Sequence, residues 1–189
     1  MEVTQLAKLD IYSKNGTYRL FEIPESHMLK RKISEFKLIV VDKKVFELYE
    51  NLFSDSGNLY LIDVTEENKT PIEALKICDF FIRNELKRNE KICAIGGGII
   101  QDLVTFATSV YMRGIEWVFI PTTLLAQADS CIGGKSSLNY GGAKNIIGNF
   151  YPPSEIIINY DFLQTLEKVD IRSGIGEISL ICFAFFIYC

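Results

Sequence analysis

Two stretches of the chain concentrate the groups that could handle a charged small molecule. Gly96-Gly97-Gly98 follows an apolar run and opens a helical one, so its N–H groups could face an anion such as a pyrophosphate at a helix N-terminus. The same triplet also serves as a tight structural turn, and it matches neither GxGxxG nor a Walker loop. Asp102, one helical turn further on, can accept from a sugar or nicotinamide group, or stabilise its own helix dipole by about 0.3–1 kcal/mol. Thr122 and Thr123, after Pro121, carry hydroxyls that cap a following helix or reach a ligand. Further along, Asp129, the pair Gly133-Gly134 and Lys135 are followed by Gly141-Gly142-Ala143-Lys144-Asn145, a second glycine-plus-lysine arrangement. Either lysine alone reads as a solvated surface group, but together with the Gly-Gly turns they suggest phosphate or carboxylate binding. Glu177, the last charged residue, precedes unbroken apolar sequence. A carboxylate so placed must be exposed, protonated, or bound to something such as a metal.

Such loops need a rigid frame, and the hydrophobic periodicity supplies one. Residues 37–41 (KLIVV), 59–64 (LYLIDV), 91–95 (KICAI), 117–120 (WVFI) and 155–159 (EIIIN) read as strands. Between them, residues 45–52 have helical spacing. Thr70, Pro71 and Glu73 supply an N-cap, a first-turn proline and a capping-box acid for a helix running to about residue 90. The run after the glycine triplet is apolar nearly all round, which predicts a buried helix. The alternation implies βαβ units with right-handed crossovers, giving an open doubly wound α/β domain over about residues 37–160. Ligands would bind beyond the carboxyl ends of its strands. TYRLFEIP, within the first 36 residues, reads as an antiparallel edge strand leading in.

The composition narrows the possibilities. The 189 residues carry 20 Lys+Arg against 24 Asp+Glu, a net charge of −4, which argues against a basic nucleic-acid binder, and 48% apolar residues are ample for a packed core. The single histidine, His27, reads as a surface or edge-strand residue, and its solitude excludes a multi-histidine metal site within one chain. Of five cysteines, none forms a CxxC pair and four lie among apolar residues, as buried free thiols do in a reducing cytoplasm. The N-terminus lacks a basic start followed by an apolar run, so no signal peptide is expected. The apolar stretch 180–189 is ten residues long; a membrane span needs about twenty.

Taken in order, GGGIIQDL, YMRG, PTTLLAQADSCIGGK, KNIIGNFYPP, DFLQTL and SGIGEIS resemble the dehydroquinate synthase family, the NAD-dependent sugar-phosphate cyclases, over about residues 42–179. The resemblance implies a Rossmann-like NAD domain, an open parallel sheet with helices on both faces, over residues 1–160. Residues 161–189 would begin a helical C-terminal domain, with substrate and a divalent metal, zinc or cobalt, between the two. By motif it implies NAD contacts at Asp42, Glu66, Lys69, Gly97, Gly98, Asp102, Thr122, Thr123, Lys135, Lys144, Phe162, Thr165 and Leu166. It also implies catalytic and substrate contacts at Asp129, Lys135, Lys144 and Asn145, and a metal ligand at Glu177. The implied reaction removes phosphate from a seven-carbon sugar-acid phosphate and cyclises it to 3-dehydroquinate, using hydride transfer to NAD and back. The enzyme would be a cytoplasmic homodimer without nucleic-acid or membrane partners. A deoxy-inosose or valiolone synthase would share this half, and a non-catalytic NAD-binding remnant is the reading from another class. Three departures stand out: Gln101 where the family usually has glycine, Lys44 where it has asparagine, and Leu180 where it has lysine. The two histidine ligands of the family do not occur, and the tail LICFAFFIYC lacks a polar face. The expectation is therefore a truncated or frame-shifted cyclase, inactive alone.

Overall fold

The chain runs β1 (Lys8–Ser13), β2 (Gly16–Glu22), α1 (Ser26–Ile33), β3 (Leu38–Asp42), α2 (Lys43–Leu48), β4 (Asn58–Ile62) and α3 (Pro71–Arg83). It continues through β5 (Ile92–Gly96), α4 (Gly98–Val110), β6 (Trp117–Pro121), β7 (Leu138–Tyr140), β8 (Ala143–Ile147), β9 (Glu155–Ile158) and α5 (Lys168–Tyr188). This is a computed structural model, and it describes residues 8–188, with side chains through residue 183. A seven-stranded sheet has the order β1-β2-β9-β6-β5-β3-β4, and every neighbouring pair except β1–β2 is parallel.

Strand positions follow from runs too apolar to leave either face in water. Along β3, Leu38 and Val40 join one core while Ile39 and Val41 join the other. β5 and β6 divide in the same way, as parallel strands covered on both faces must. Trp117 lies wholly buried at the sheet centre, tilted against Phe119 at 5.8 Å, with its indole N–H donating to Tyr151 O at 3.3 Å. The expected strands appear within about two residues at each end. α4 is buried as its composition predicted, through Ile100, Leu103, Val104 and Ala107 among others.

Three expectations are corrected. The TYRLFEIP segment is not an edge strand. β2 lies inside the sheet, parallel to β9 with Arg19 opposite Glu155, and β1 takes the edge. Tyr18 joins one core and Phe21 the other, so β2 is covered on both faces as a strand inside a parallel sheet must be. α3 begins at the expected cap, with Thr70 accepting from the Glu73 N–H, but it stops at Arg83. There Glu85 turns left-handed (φ 51°), the Leu86 N–H bonds back to Phe81 O at 3.0 Å, and Leu86 is buried, a Schellman-type ending. Of the cysteines, Cys78, Cys93 and Cys131 are buried, but Cys182 is exposed on α5; Cys189 lies outside the described residues.

The strand order reverses between β3 and β5. From β3 the chain steps outward to β4, then returns to the other side of β3 as β5 and proceeds through β6 to β9. A crevice must open at such a reversal, beyond the carboxyl ends of the two strands. No helix among the described residues is long and apolar enough to cross a membrane.

Candidate functional site

A cleft of about 470 Å³ occupies the crevice between the ends of β3 and β5. β3 ends on Asp42, whose carboxylate accepts from the Lys44 N–H at 2.9 Å and so caps α2. β5 ends at the glycine triplet. Gly97 is the N-cap of α4 and supplies no side-chain acceptor, so the first N–H groups of a thirteen-residue helix open onto the cleft. A Cβ on Gly97 would lie 2.9 Å from Thr123 Cγ2, whereas one on Gly98 would meet nothing closer than Ser130 Oγ at 3.9 Å and would stand in the cleft. After β6, Thr122 is buried and Thr123 Oγ1 accepts from the Ala126 N–H at 3.2 Å, so capping and cleft lining coincide there. The far wall is Phe162, Thr165 and Leu166, held by Tyr49. Its hydroxyl donates to Asp161 O at 3.0 Å and pairs with Thr165 Oγ1 at 2.8 Å, and its ring meets Phe162 edge-on at 5.0 Å. Lys44 Nζ reaches Glu167 at 2.5 Å across one end of the mouth.

The charged floor of the cleft is a buried ion pair. Lys69 Nζ lies 2.7 Å from Asp102 Oδ2, the two side chains being 11% and 15% exposed. Asp102 Oδ1 also accepts from the Ser137 N–H at 2.9 Å, and Lys69 donates to Asn145 Oδ1 at 2.8 Å. Burial holds the Asp102 carboxyl above its usual range, with the Lys69 ammonium and the Ser137 N–H pulling against that shift. Burial likewise raises Asp42, opposed by the N–H groups of Lys44 and Val45. β7 and β8 form an antiparallel hairpin turned by Gly141 (φ 59°) and Gly142 (φ 80°), and it stands beside this floor.

A family model described as 3-dehydroquinate synthase N-terminal matches residues 59–173. The chain belongs to that family. The 3-dehydroquinate synthase of Clostridium tetani is 39% identical over 183 residues, 94% of this chain and 48% of that protein. The Helicobacter pylori enzyme is 36% identical over 174 residues, 90% of this chain and 51% of that protein. The chain thus spans about half the length of the curated relatives it matches. Among solved structures, a 2-epi-5-epi-valiolone synthase from Streptomyces hygroscopicus with NAD+ and Zn2+ bound superposes with TM-score 0.81 at 30% identity, covering 89% of this chain and 50% of that one. A 2-deoxy-scyllo-inosose synthase shares the fold at TM-score 0.79 and 22% identity, covering 92% of this chain and 52% of that one.

Within this chain, Asp42, Lys69, Gly97, Gly98, Asp102, Thr122, Thr123, Phe162, Thr165 and Leu166 all line the cleft. The other predicted site residues stand outside that lining. Glu66 lies on the loop after β4. Lys135, Lys144 and Asn145 are exposed on and beside the hairpin, and Asp129 is half-buried on the π-helical turn Ala126–Ser130. Asn145 is tied to the cleft through Lys69 and, by way of Ser137, through Asp102. Glu177 is half-buried on α5, and among the described residues no three His, Cys, Asp or Glu side chains come together to hold a metal. Asp102 has a role that neither sequence alternative named, as partner to a buried ammonium. Also missed were Tyr49, Ser130, Asp170 and Ser173 at the cleft, and Asn139 in β7. The clearest available signal was Asn139, a polar residue inside a strand just before a Gly-Gly turn. Gln101 is buried in a reciprocal pair with Ser130, donating to its carbonyl at 2.5 Å and accepting from its hydroxyl at 2.9 Å.

Proposed function

We propose that this chain is the cofactor half of a 3-dehydroquinate synthase and holds NAD in the cleft between β3 and β5. The observation that carries this reading is the uncapped start of α4 opening through Gly97 and Gly98 onto a crevice of ligand-sized volume, with Asp42 on one side and the Lys69–Asp102 pair on the other. The open space where a Gly98 Cβ would stand supports close approach of a ligand to the backbone. In this reading the N–H groups of Gly97 and Gly98 hold the pyrophosphate. Asp42 accepts from ribose hydroxyls, while Thr122, Thr123, Phe162, Thr165 and Leu166 enclose the rings and sugars. Lys69 and Asp102 offer a donor and an acceptor on the cleft floor, and Glu66, Lys135 and Lys144 complete the cofactor contacts at its rim. Bound NAD supplies a hydride acceptor that is regenerated within one turnover. Asp129, Lys135, Lys144 and Asn145 are assigned to a phosphorylated seven-carbon sugar acid, the lysines meeting phosphate and carboxylate. The 39% identity to a dehydroquinate synthase, against 30% to the valiolone synthase, favours this substrate over those of the other cyclases.

The domain division near residue 160 belongs to the same proposal, supported by the way α5 leaves the sheet and crosses close to Leu124 at Gly174. So do pairing into a homodimer and a cytoplasmic setting, which the buried unpaired thiols fit. Glu177 is the proposed first ligand of zinc or cobalt, but the described residues do not by themselves make a metal site. The expected behaviour of this chain alone is therefore cofactor binding without turnover. Calorimetric titration with NAD should show saturable binding, and absence of heat together with absence of a thermal shift would refute the cofactor reading. Phosphate release from the seven-carbon substrate, with NAD and metal added, should be nil; measurable turnover would refute the expectation of inactivity.

A further inference from the structure

The hairpin of β7 and β8 carries Lys144 and Asn145, yet little of its own structure can hold it in place. Its turn residues and most of β8 are exposed, and a two-stranded hairpin by itself is marginal in water. Its base is anchored by buried Leu138 and by the Ser136 N–H on Asn149 O at 2.8 Å. Its outer part depends on Asn139. The backbone N–H of Asn139 donates to Lys69 O at 2.8 Å, and its side-chain Nδ2 donates to Glu66 O at 3.1 Å and Glu66 Oε1 at 2.9 Å. Its Oδ1 accepts from the Asn145 N–H at 2.9 Å. The side-chain amide is thus used on both sides, one end on the loop after β4 and the other on β8. Asn145 is left-handed (φ 55°), a conformation asparagine tolerates better than most residues. Its own Oδ1 takes Lys69 Nζ at 2.8 Å and Ser137 Oγ at 3.0 Å.

We propose that Asn139 is a positioning residue that fixes β8, which bears Lys144 and Asn145, against the loop bearing Glu66 and Lys69, and so links order in the hairpin to occupancy of the cleft. Lys69 is the shared element. Its ammonium lies on the cleft floor between Asp102 and Asn145, so a cleft ligand that draws on it must also act on the hairpin, and by thermodynamic reciprocity an ordered hairpin must act on the ligand. The linkage rests on the NAD reading; the positioning role does not.

Hydrogen exchange of the intact chain, followed by mass spectrometry, tests both parts. In the free protein, Asn139→Ala should speed exchange of amides 138–147 by about tenfold or more, the consequence of losing at least two hydrogen bonds. Amides of β5 and β6 should stay as in the wild type. Asn139→Asp keeps an acceptor for the Asn145 N–H but sets a carboxylate oxygen against Glu66 O and Oε1, so it too should speed hairpin exchange; it decides the case if the alanine variant also loosens the sheet. Hairpin exchange unchanged in both variants overturns the positioning role. Saturating NAD should slow hairpin exchange in the wild type and not in Asn139→Ala, and equal slowing in both overturns the linkage through Asn139. If the wild type binds no NAD by titration, the cofactor reading and the linkage both fall, while the free-protein comparison still decides whether Asn139 positions the hairpin.

Discussion

Replacing Lys69 by methionine keeps an unbranched stem of similar reach and removes an ammonium that serves both Asp102 and Asn145 Oδ1, and of these only the loss at Asp102 depends on pH. The pair is 11% and 15% exposed, well below the level at which solvent screening makes such a contact negligible. Removing one member of a buried pair typically costs about 3–5 kcal/mol, because the survivor keeps its desolvation penalty. Here the survivor can escape by taking up a proton, and burial already holds it above the ordinary carboxylate range. The sign follows from linkage. A carboxyl raised in the fold binds more protons folded than unfolded, so its contribution is most favourable below the unfolded value and is lost as pH rises through the folded value. Without Lys69 the folded value climbs further, so the variant should lose more stability at high pH than at low. Each further unit costs about 1.4 kcal/mol at pH above it. We expect a loss of about 2–4 kcal/mol at pH 8, shrinking to about half that or less at pH 5. Urea unfolding from pH 5 to pH 8 measures this directly, with m-values checked for constancy. An equal loss across the range would refute the reasoning, since it would show that the variant loses chiefly the bond to Asn145 Oδ1, which does not titrate, and not the charge partner of Asp102.

Other expectations follow from the same geometry. Gly98→Ala should weaken NAD binding at least tenfold by calorimetry while shifting the melting temperature little, because the added Cβ meets nothing in the protein closer than Ser130 Oγ at 3.9 Å; an unchanged affinity would move the cofactor elsewhere. Gln101→Gly should destabilise by about 2 kcal/mol in chemical denaturation, from its two bonds with Ser130 and the cost of glycine inside a helix. In native protein at pH 8, Cys182 should alkylate quickly and Cys78 and Cys131 slowly, since burial pushes their thiols up to about 11 and about 12. Peptide-resolved mass spectrometry would reveal the reverse order if it occurred.

What could be read in the sequence was what a local run of residues determines. β3, β5 and β6 are legible because strands buried on both faces admit almost no polar residue, and α3 starts where Thr70-Pro71 says it should. β2 was misplaced because the partner of a strand is a non-local fact. Nothing within TYRLFEIP announces β9. The hairpin escaped notice because β8 is exposed and mixes polar with apolar residues, so it has no buried face to give it a period. In the site, glycines and threonines after strands were legible as loop chemistry, whereas Phe162, Thr165 and Leu166 entered only through family resemblance. The Lys69–Asp102 pair was invisible as a pair, for it joins the loop after β4 to the first turns of α4 across the crevice between them.

Trp117 offers a practical consequence. It is the only tryptophan in the chain, and it lies in the middle strand of the sheet, enclosed by Phe119 and the α3–α4 side of the core. Its emission should therefore be that of a dry indole and should redden only when the sheet itself opens. Loosening confined to the exposed outer part of the hairpin should leave that signal unchanged. One optical channel thus reports the frame alone, and any change that leaves it still while altering exchange at residues 138–147 belongs to the moving part of the site.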